Sequence, residues 1–219
     1  MIIVIDGPAG SGKSSTAKAL SEKLDLNFLD SGALYRAVTF YWLQQGQPSF
    51  DQFFQMLPDV NLDVDLSENR FIVLLNSADI SEEIRSSVVS ENVSDVASQP
   101  EVRKYVNRFM RNLVKRYRFI ADGRDLGTAV FPDADLKFFM IASIEERAKR
   151  RYTELKNSGQ EVTLAGVEKN LRERDRKDQN RRADPLKKAD DAIEIDTTGK
   201  TFKEQVDEMS AIIIDKLKL

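Results

Sequence analysis

An apolar run, Met1-Ile-Ile-Val-Ile5, ends at Asp6 and passes directly into Gly7-Pro-Ala-Gly10-Ser-Gly12-Lys13-Ser14, after which Ala17, Leu20 and Leu24 recur three and four apart. A buried strand, a glycine turn and an amphipathic helix in immediate succession constrain the chain more than any other feature. The octet satisfies G-x-x-x-x-G-K-[ST], and in this context its amide N–H groups point inward around an anion while the helix N-terminus adds partial positive charge. The expected cradle comprises Gly7, Pro8, Ala9, Gly10, Ser11, Gly12, Lys13, Ser14 and Ser15. Lys13 reaches the β- and γ-phosphates of a nucleotide, and the Ser14 hydroxyl is the expected ligand of a Mg²⁺ ion.

The same strand-then-helix alternation continues. Short apolar runs at Ile2–Ile5, Asn27–Leu29, Phe119–Asp122, Leu136–Ile141 and Ala192–Asp196 predict core strands. Helical spacing follows at Leu34, Val38 and Tyr41, at Val102, Val106, Phe109 and Leu113, and at Phe202, Val206, Met209 and Ile213. Ser143 with Glu146, and Thr201 with Glu204, have capping-box spacing. The expected fold is α/β, a three-layer arrangement around a five-stranded parallel sheet covered on both faces. Two stretches interrupt it. About 49–98 holds Leu62-Asp-Val-Asp and Phe71-Ile-Val-Leu-Leu with Ser67-Glu-Asn between them, which predicts an antiparallel hairpin. About 147–182 is dominated by charge, and 171–188 carries eight basic against four acidic residues.

Composition narrows the chemistry. The 219 residues include no Cys and no His, which removes thiol nucleophiles, Ser-His-Asp triads and thiolate or imidazole metal centres. Lys and Arg number 33 against 36 Asp and Glu, a net charge of −3, so no whole-chain field favours nucleic acid or an anionic membrane. The opening apolar run is too short for a secretory segment and nothing later approaches a membrane span, so the cytoplasm is the expected compartment.

A phosphate cradle alone does not separate a GTPase, an ATPase and a kinase. No Asn-Lys-x-Asp element reads guanine, and Asp122 is followed by Gly123-Arg124-Asp125 rather than a D-x-x-G switch. A kinase needs a second site opposite the cradle, with water excluded. Asp30-Ser31-Gly32-Ala-Leu-Tyr35-Arg36 and Gly123-Arg124-Asp125-Leu-Gly127 each follow a strand, and ligands of an open parallel sheet gather at its carboxyl edge. With Arg174, Asp175, Asp178 and Arg181 they form an inventory suited to a small polar phosphate: guanidinium forks for the phosphate, carboxylates for hydroxyls or an amine.

The chain resembles the bacterial cytidylate kinases over nearly its full length. The resemblance rests on the cradle, D-S-G-x-x-Y-R at 30–36, S-x-x-A with a later V-R at 94–103, D-G-R-D-x-G-x-x-V-F-P at 122–132, E-E-R-x-x-R-R at 145–151 and R-D-x-x-D-x-x-R at 174–181. It implies ATP as co-substrate, CMP or dCMP as acceptor, and one kinase domain spanning 1–219. That domain divides into a core (about 1–30, 99–146 and 183–219), an acceptor-binding β/α insertion (about 31–98) and a helical lid (about 147–182). Carried over by position, Ser31, Tyr35 and Arg36 join the acceptor site; Arg36, Arg124 and Arg181 hold its phosphate; Arg174 and Asp178 meet the sugar; and Ser94, Arg103 and Asp125 read cytosine. Lys13, Arg124, Arg147, Arg151 and Arg181 are the expected catalytic group, with Arg147 and Arg151 at the lid hinge, one near the adenine or phosphates of ATP and the other, or Arg150, on the transferring group. The implied partners are small nucleotides, without nucleic acid or membrane, and the chain is expected to act as a monomer.

Physical chemistry agrees with a base reader of this kind, since cytosine needs an acceptor for its amine and a donor for N3. An ionised phosphate oxygen needs no general base, so a chain without histidine suffices. A kinase of UMP, AMP, a sugar or a shikimate-like alcohol stays open, with Asp125 as a possible base, as does a non-catalytic nucleotide- or RNA-binding protein.

Overall fold

The computed structural model describes residues 1–67 and 70–218. In chain order the elements are β1 (Ile2–Asp6), α1 (Lys13–Leu24), β2 (Asn27–Asp30), α2 (Ser31–Gln44), α3 (Phe50–Met56), β3 (Leu62–Asp65), β4 (Ile72–Leu75) and β5 (Ala78–Asp79). They continue with α4 (Ser87–Val96), α5 (Pro100–Leu113), β6 (Phe119–Gly123), β7 (Leu136–Ile141), α6 (Ile144–Asn157), α7 (Leu164–Asn180), β8 (Ile193–Asp196) and α8 (Phe202–Leu217). A five-stranded parallel sheet has the order β2-β6-β1-β7-β8, and β3-β4-β5 form a separate antiparallel sheet. The five expected core strands are all present, each within one residue of its expected limits.

Because successive side chains of a strand face opposite ways, the central strands feed two cores. Val4, Leu29 and Ala121 pack with Leu34 and Val38 of α2 and Val102 and Val106 of α5. Ile3, Ile5, Ile120, Phe138 and Met140 pack on the other face with Ala17 and Leu20 of α1 and Val206, Met209 and Ile213 of α8. Phe202, expected on that apolar stripe, is instead 50% exposed as the first residue of α8, outside the cluster that Val206, Met209 and Ile213 join. Thr201 and Glu204 complete a capping box there, whereas Ser143 makes only its own half, accepting from the Glu146 amide.

The small sheet has no core of its own: Leu62, Val73 and Leu75 join the α2/α5 cluster. The expected pairing of β3 with β4 is observed, while its polar turn at Ser67-Glu68-Asn69 lies partly outside the described residues. Sequence reading missed β5. Asn76 and Ser77 both have positive φ, 51° and 68°, between paired Leu75 and Ala78, which is the backbone of a two-residue hairpin.

The parallel register sets the level at which the loops leave the sheet. Asp6 is level with Gly123, and Asp30 with Asp122, so three carboxylates and two loops meet at one edge. Gly7 turns the chain away from that edge against β7, where an added Cβ would lie 2.1 Å from the Met140 carbonyl oxygen. Gly7→Ala is expected to cost at least about 2 kcal/mol through this overlap with backbone, read as a lowered urea midpoint; an unchanged midpoint contradicts the close approach.

Candidate active site

The cradle is built as its sequence requires. Gly12, at φ 92°, precedes α1 and no side chain caps the helix, which leaves the first-turn amides for a ligand. Lys13 is 4% exposed and folds back so that Nζ donates to the Pro8 carbonyl at 2.8 Å. Burial first, then the Arg124 guanidinium, push its pKa well below the ordinary lysine range, against the pull of Asp122, Asp6 and Asp178. The loop is also held from outside. Arg147 donates to the Ala9 carbonyl at 3.0 Å and to Asp175 at 2.6 Å, and Asp175 accepts from the Ala9 amide at 3.3 Å.

Ser14 Oγ donates to Asp122 Oδ2 at 2.6 Å. The second oxygen, Asp122 Oδ1, is buried without a partner, and burial followed by the neighbouring Asp30 raises the pKa of this carboxyl. Sequence reading gave Asp122 no role, although its position at the carboxyl end of β6, next to the strand that feeds the cradle, was a usable signal. A hydroxyl beside a carboxylate with an open oxygen fits Mg²⁺, which keeps several waters and takes one or two protein oxygens together with phosphates. Among the described residues no group of three or more His, Cys, Asp or Glu side chains forms a cage.

Asp6 is the second residue that sequence reading passed over. Its oxygens accept from the Leu126 amide at 2.9 Å and the Gly127 amide at 2.7 Å, which pins the π-helical turn Leu126–Val130 immediately after Arg124 and Asp125. Burial pushes its pKa up to about 6 against the stabilising pull of those two amides.

Across the crevice the acceptor residues gather. Asp30 caps α2 by accepting from the Ala33 amide at 2.9 Å, and Ser31 Oγ donates to the Asp122 main-chain carbonyl at 2.6 Å, tying β2 to β6. The Tyr35 hydroxyl donates to Asn107 at 3.0 Å, its phenol is held protonated by burial, and its ring lies 5.3 Å from the Arg103 guanidinium carbon. Arg36 and Arg174 are half-buried. Burial, and then neighbouring charge that includes Arg124 for both, lowers the pKa of Arg36 and brings that of Arg174 down to about 10. Arg174 Nε is buried without a partner. Arg124 itself donates to Asp178 at 3.0 Å and to the Gly123 carbonyl at 3.3 Å.

The base-reading candidates are closely linked. Arg103, 2% exposed, donates to Asp125 and to Asp184, the latter at 2.7 Å, and Arg181 donates to the other Asp125 oxygen at 2.5 Å. Ser94 of α4 lines a cleft of about 440 Å³ together with Ser98, Asp178 and Arg181. The arginines of α6 divide. Arg147 is buried against the cradle, Arg150 donates to the Thr197 carbonyl at 2.8 Å and its hydroxyl at 3.2 Å, and Arg151 is 37% exposed and pairs with Glu154 at 2.8 Å. Arg151 is therefore not drawn into the hydrogen-bonded site, although its charge reaches Arg174.

A phosphate cradle on a parallel sheet, with Arg36, Arg124 and Arg174 near enough for their charges to act on one another, defines a kinase of the P-loop class. The cytidylate kinase family profile matches residues 3–215. A cytidylate kinase from Clostridioides difficile is 45% identical over 219 residues, covering 100% of this chain and 99% of its own. One from Pseudothermotoga lettingae is 40% identical over 218 residues, with 100% and 96% covered. The chain belongs to the cytidylate kinase family. Among solved structures, an uncharacterized protein from Eubacterium ventriosum aligns over 100% of this chain and 98% of its own, with TM-score 0.52 at 14% identity. TT1252 from Thermus thermophilus aligns over 98% and 97%, with TM-score 0.50 at 17% identity, and these two likenesses concern the fold alone.

Asp6→Ala leaves two buried amides without an acceptor and is expected to cost roughly 2–5 kcal/mol in urea unfolding. With a folded pKa of about 6 above the usual 3.8, the folded chain holds more protons than the unfolded one between those values. The Asp6 contribution is therefore greatest at low pH and falls as pH rises through that window. The gap between wild type and variant should be wider at pH 4.5 than at pH 7; a gap that widens toward neutral pH contradicts the assignment.

Proposed function

We propose that the chain transfers the γ-phosphoryl group of ATP to CMP, and to dCMP, by direct in-line displacement. One observation carries this reading: the Arg124 guanidinium, at the end of β6 beside the strand that feeds the cradle, lowers the pKa both of buried Lys13 in the cradle and of half-buried Arg36 and Arg174 in the acceptor-site group. Positive charge gathered around one guanidinium in this way is suited to two phosphates meeting there.

In this mechanism the cradle amides and Lys13 hold the triphosphate, while Arg36, Arg124 and Arg181 hold the acceptor phosphate. Arg174 and Asp178 orient the sugar. Ser14 and Asp122 would hold Mg²⁺, which supplies charge neutralisation at the β- and γ-phosphates when bound. An acceptor phosphate oxygen attacks the γ-phosphorus, the bond to the β,γ-bridging oxygen breaks, and ADP leaves with the electron pair. No proton has to be abstracted, because the attacking oxygen is largely ionised at neutral pH. Lys13, Arg124 and Arg147 follow the charge as it develops, the last by shaping the cradle through Ala9 and Asp175. Arg150 fixes the loop at Thr197, and Arg151 is left to act when the lid, about 147–182, closes over the insertion at about 31–98.

The base is read by Arg103 and Asp125 with Ser94 at the rim of the cleft. Both Asp125 oxygens already accept from guanidinium groups, which argues against Asp125 as the base for an alcohol acceptor. Nucleotides are the partners in this reading, and the chain works as a monomer in the cytoplasm; among the described residues no helix is long and apolar enough to cross a membrane.

A coupled assay offering ATP with CMP, dCMP, UMP, AMP and an alcohol panel should give the highest kcat/KM with CMP and dCMP. Turnover with other acceptors and none with these two refutes the proposal. The low Lys13 pKa adds a second expectation. At pH 8 the free amine is partly neutral, and a bound triphosphate returns it to the charged form. Binding of a non-hydrolysable ATP analogue should therefore take up protons, measured by calorimetry in buffers of different ionisation enthalpy. Lys13→Ala should abolish the uptake and cripple turnover; equal uptake in the variant contradicts the role.

A further inference from the structure

Asp184 is joined to Arg103, Asp125 and Arg181 by a closed ring of hydrogen bonds, and its own side chain has no part in the cradle. Its Oδ2 accepts from Arg103 Nε at 2.7 Å, and its main-chain carbonyl accepts from Arg181 Nε at 2.6 Å. Arg103 and Arg181 then converge on the two oxygens of Asp125, which closes the circuit. Two guanidinium groups and two carboxylates balance in charge, and Asp125 and Arg103 are withdrawn from water at 4% and 2% exposure.

The backbone at Asp184 is unusual as well. It holds φ at 47°, and the next residue is Pro185, before which extended backbone is favoured. A non-glycine residue keeps such a conformation where its surroundings over-determine it, and these places concentrate at functional sites. What over-determines it here is the pair of arginines, gripped by the side chain and the carbonyl of a single residue.

The consequence falls on Arg103. A guanidinium has five N–H groups in a rigid plane. Three are engaged, by Asp184, by the Ala97 carbonyl at 3.3 Å and by Asp125, which leaves two on the terminal nitrogens. With Nε fixed by Asp184, the plane cannot turn about its long axis, and the remaining donors keep one direction. Cytosine offers an acceptor at N3 where uracil offers a donor, so a donor of fixed direction favours the one and repels the other.

We propose that Asp184 is a positioning residue that sets the CMP-over-UMP preference by fixing the plane of the Arg103 guanidinium. The inference rests on the CMP-kinase reading above. Because Asp184 follows the lid helix α7, it also makes base selection depend on the end of the lid being docked.

Two substitutions separate side chain from backbone. Asp184→Gly accepts positive φ and removes the carboxylate, and Asp184→Asn accepts positive φ and keeps an acceptor for Nε. Steady-state kinetics with CMP, UMP and ATP are read for both variants and for wild type. In Asp184→Gly the KM for CMP should rise, and the CMP/UMP ratio of kcat/KM should fall, by roughly tenfold each, with the KM for ATP unchanged. Asp184→Asn should stay within about threefold of wild type. An unaltered CMP/UMP ratio in the glycine variant overturns the inference. So does an equal rise in KM for ATP and CMP, which marks general loosening, and so does an asparagine variant as impaired as the glycine one. Should Asp184→Gly not fold, Asp184→Ser, whose hydroxyl is too short to reach Nε, takes its place with the same readings. A wild-type chain with no preference for CMP would refute the parent reading instead, so the two failures are distinguishable.

Discussion

Cationic side chains taken out of water organise this molecule. A buried guanidinium or ammonium is tolerated where a carboxylate or a set of carbonyls meets it, and is costly elsewhere. Arg103, Arg147 and Arg181 have such carboxylates in Asp125, Asp184 and Asp175. Lys13, Arg36 and Arg174 do not form ion pairs of this kind among the described residues, and the pKa of each is depressed. The paired arginines tie the elements of the site together, and the three unpaired cations leave it with positive charge that no carboxylate among the described residues neutralises directly. The sheet makes this possible by bringing Asp30 and Asp122 to one level and Asp6 one residue beyond it, so that backbone register fixes the spacing of charges that the helices then supply.

Chemistry without histidine or cysteine is consistent with that design. Phosphoryl transfer to an ionised oxygen needs position and charge rather than a proton acceptor. Contacts within the chain hold its donors in place: the cradle by Arg147 and Asp175, the turn after Arg124 by Asp6, and the Arg103 guanidinium by the ring through Asp184. Such preorganisation is where electrostatic catalysis draws most of its effect, since little has to move as charge develops.

Much of this was legible in the sequence. The octet at 7–14 adjoins a strand and a helix as its pattern demands, and apolar runs marked the inner strands β1, β6 and β7, whose two faces are covered, while the edge strand β8 alternates. Local signals stopped at two kinds of residue. Strand-end carboxylates such as Asp6 and Asp122 look like ordinary punctuation until register shows what they face. Helix periodicity placed Arg147 and Arg151 on one face, but one turn of helix leaves Arg151 half-exposed and paired with Glu154 instead of seated against the cradle. The brief strand β5 was hidden for another reason: two residues of strand carry no period to read.

Asp175 belongs to α7, yet it grips the Ala9 amide inside the cradle, and Arg147 binds both. A helix far along the chain and the turn after the first strand are thus fastened by one clasp, so any displacement of α7 pulls directly on the main chain of the cradle.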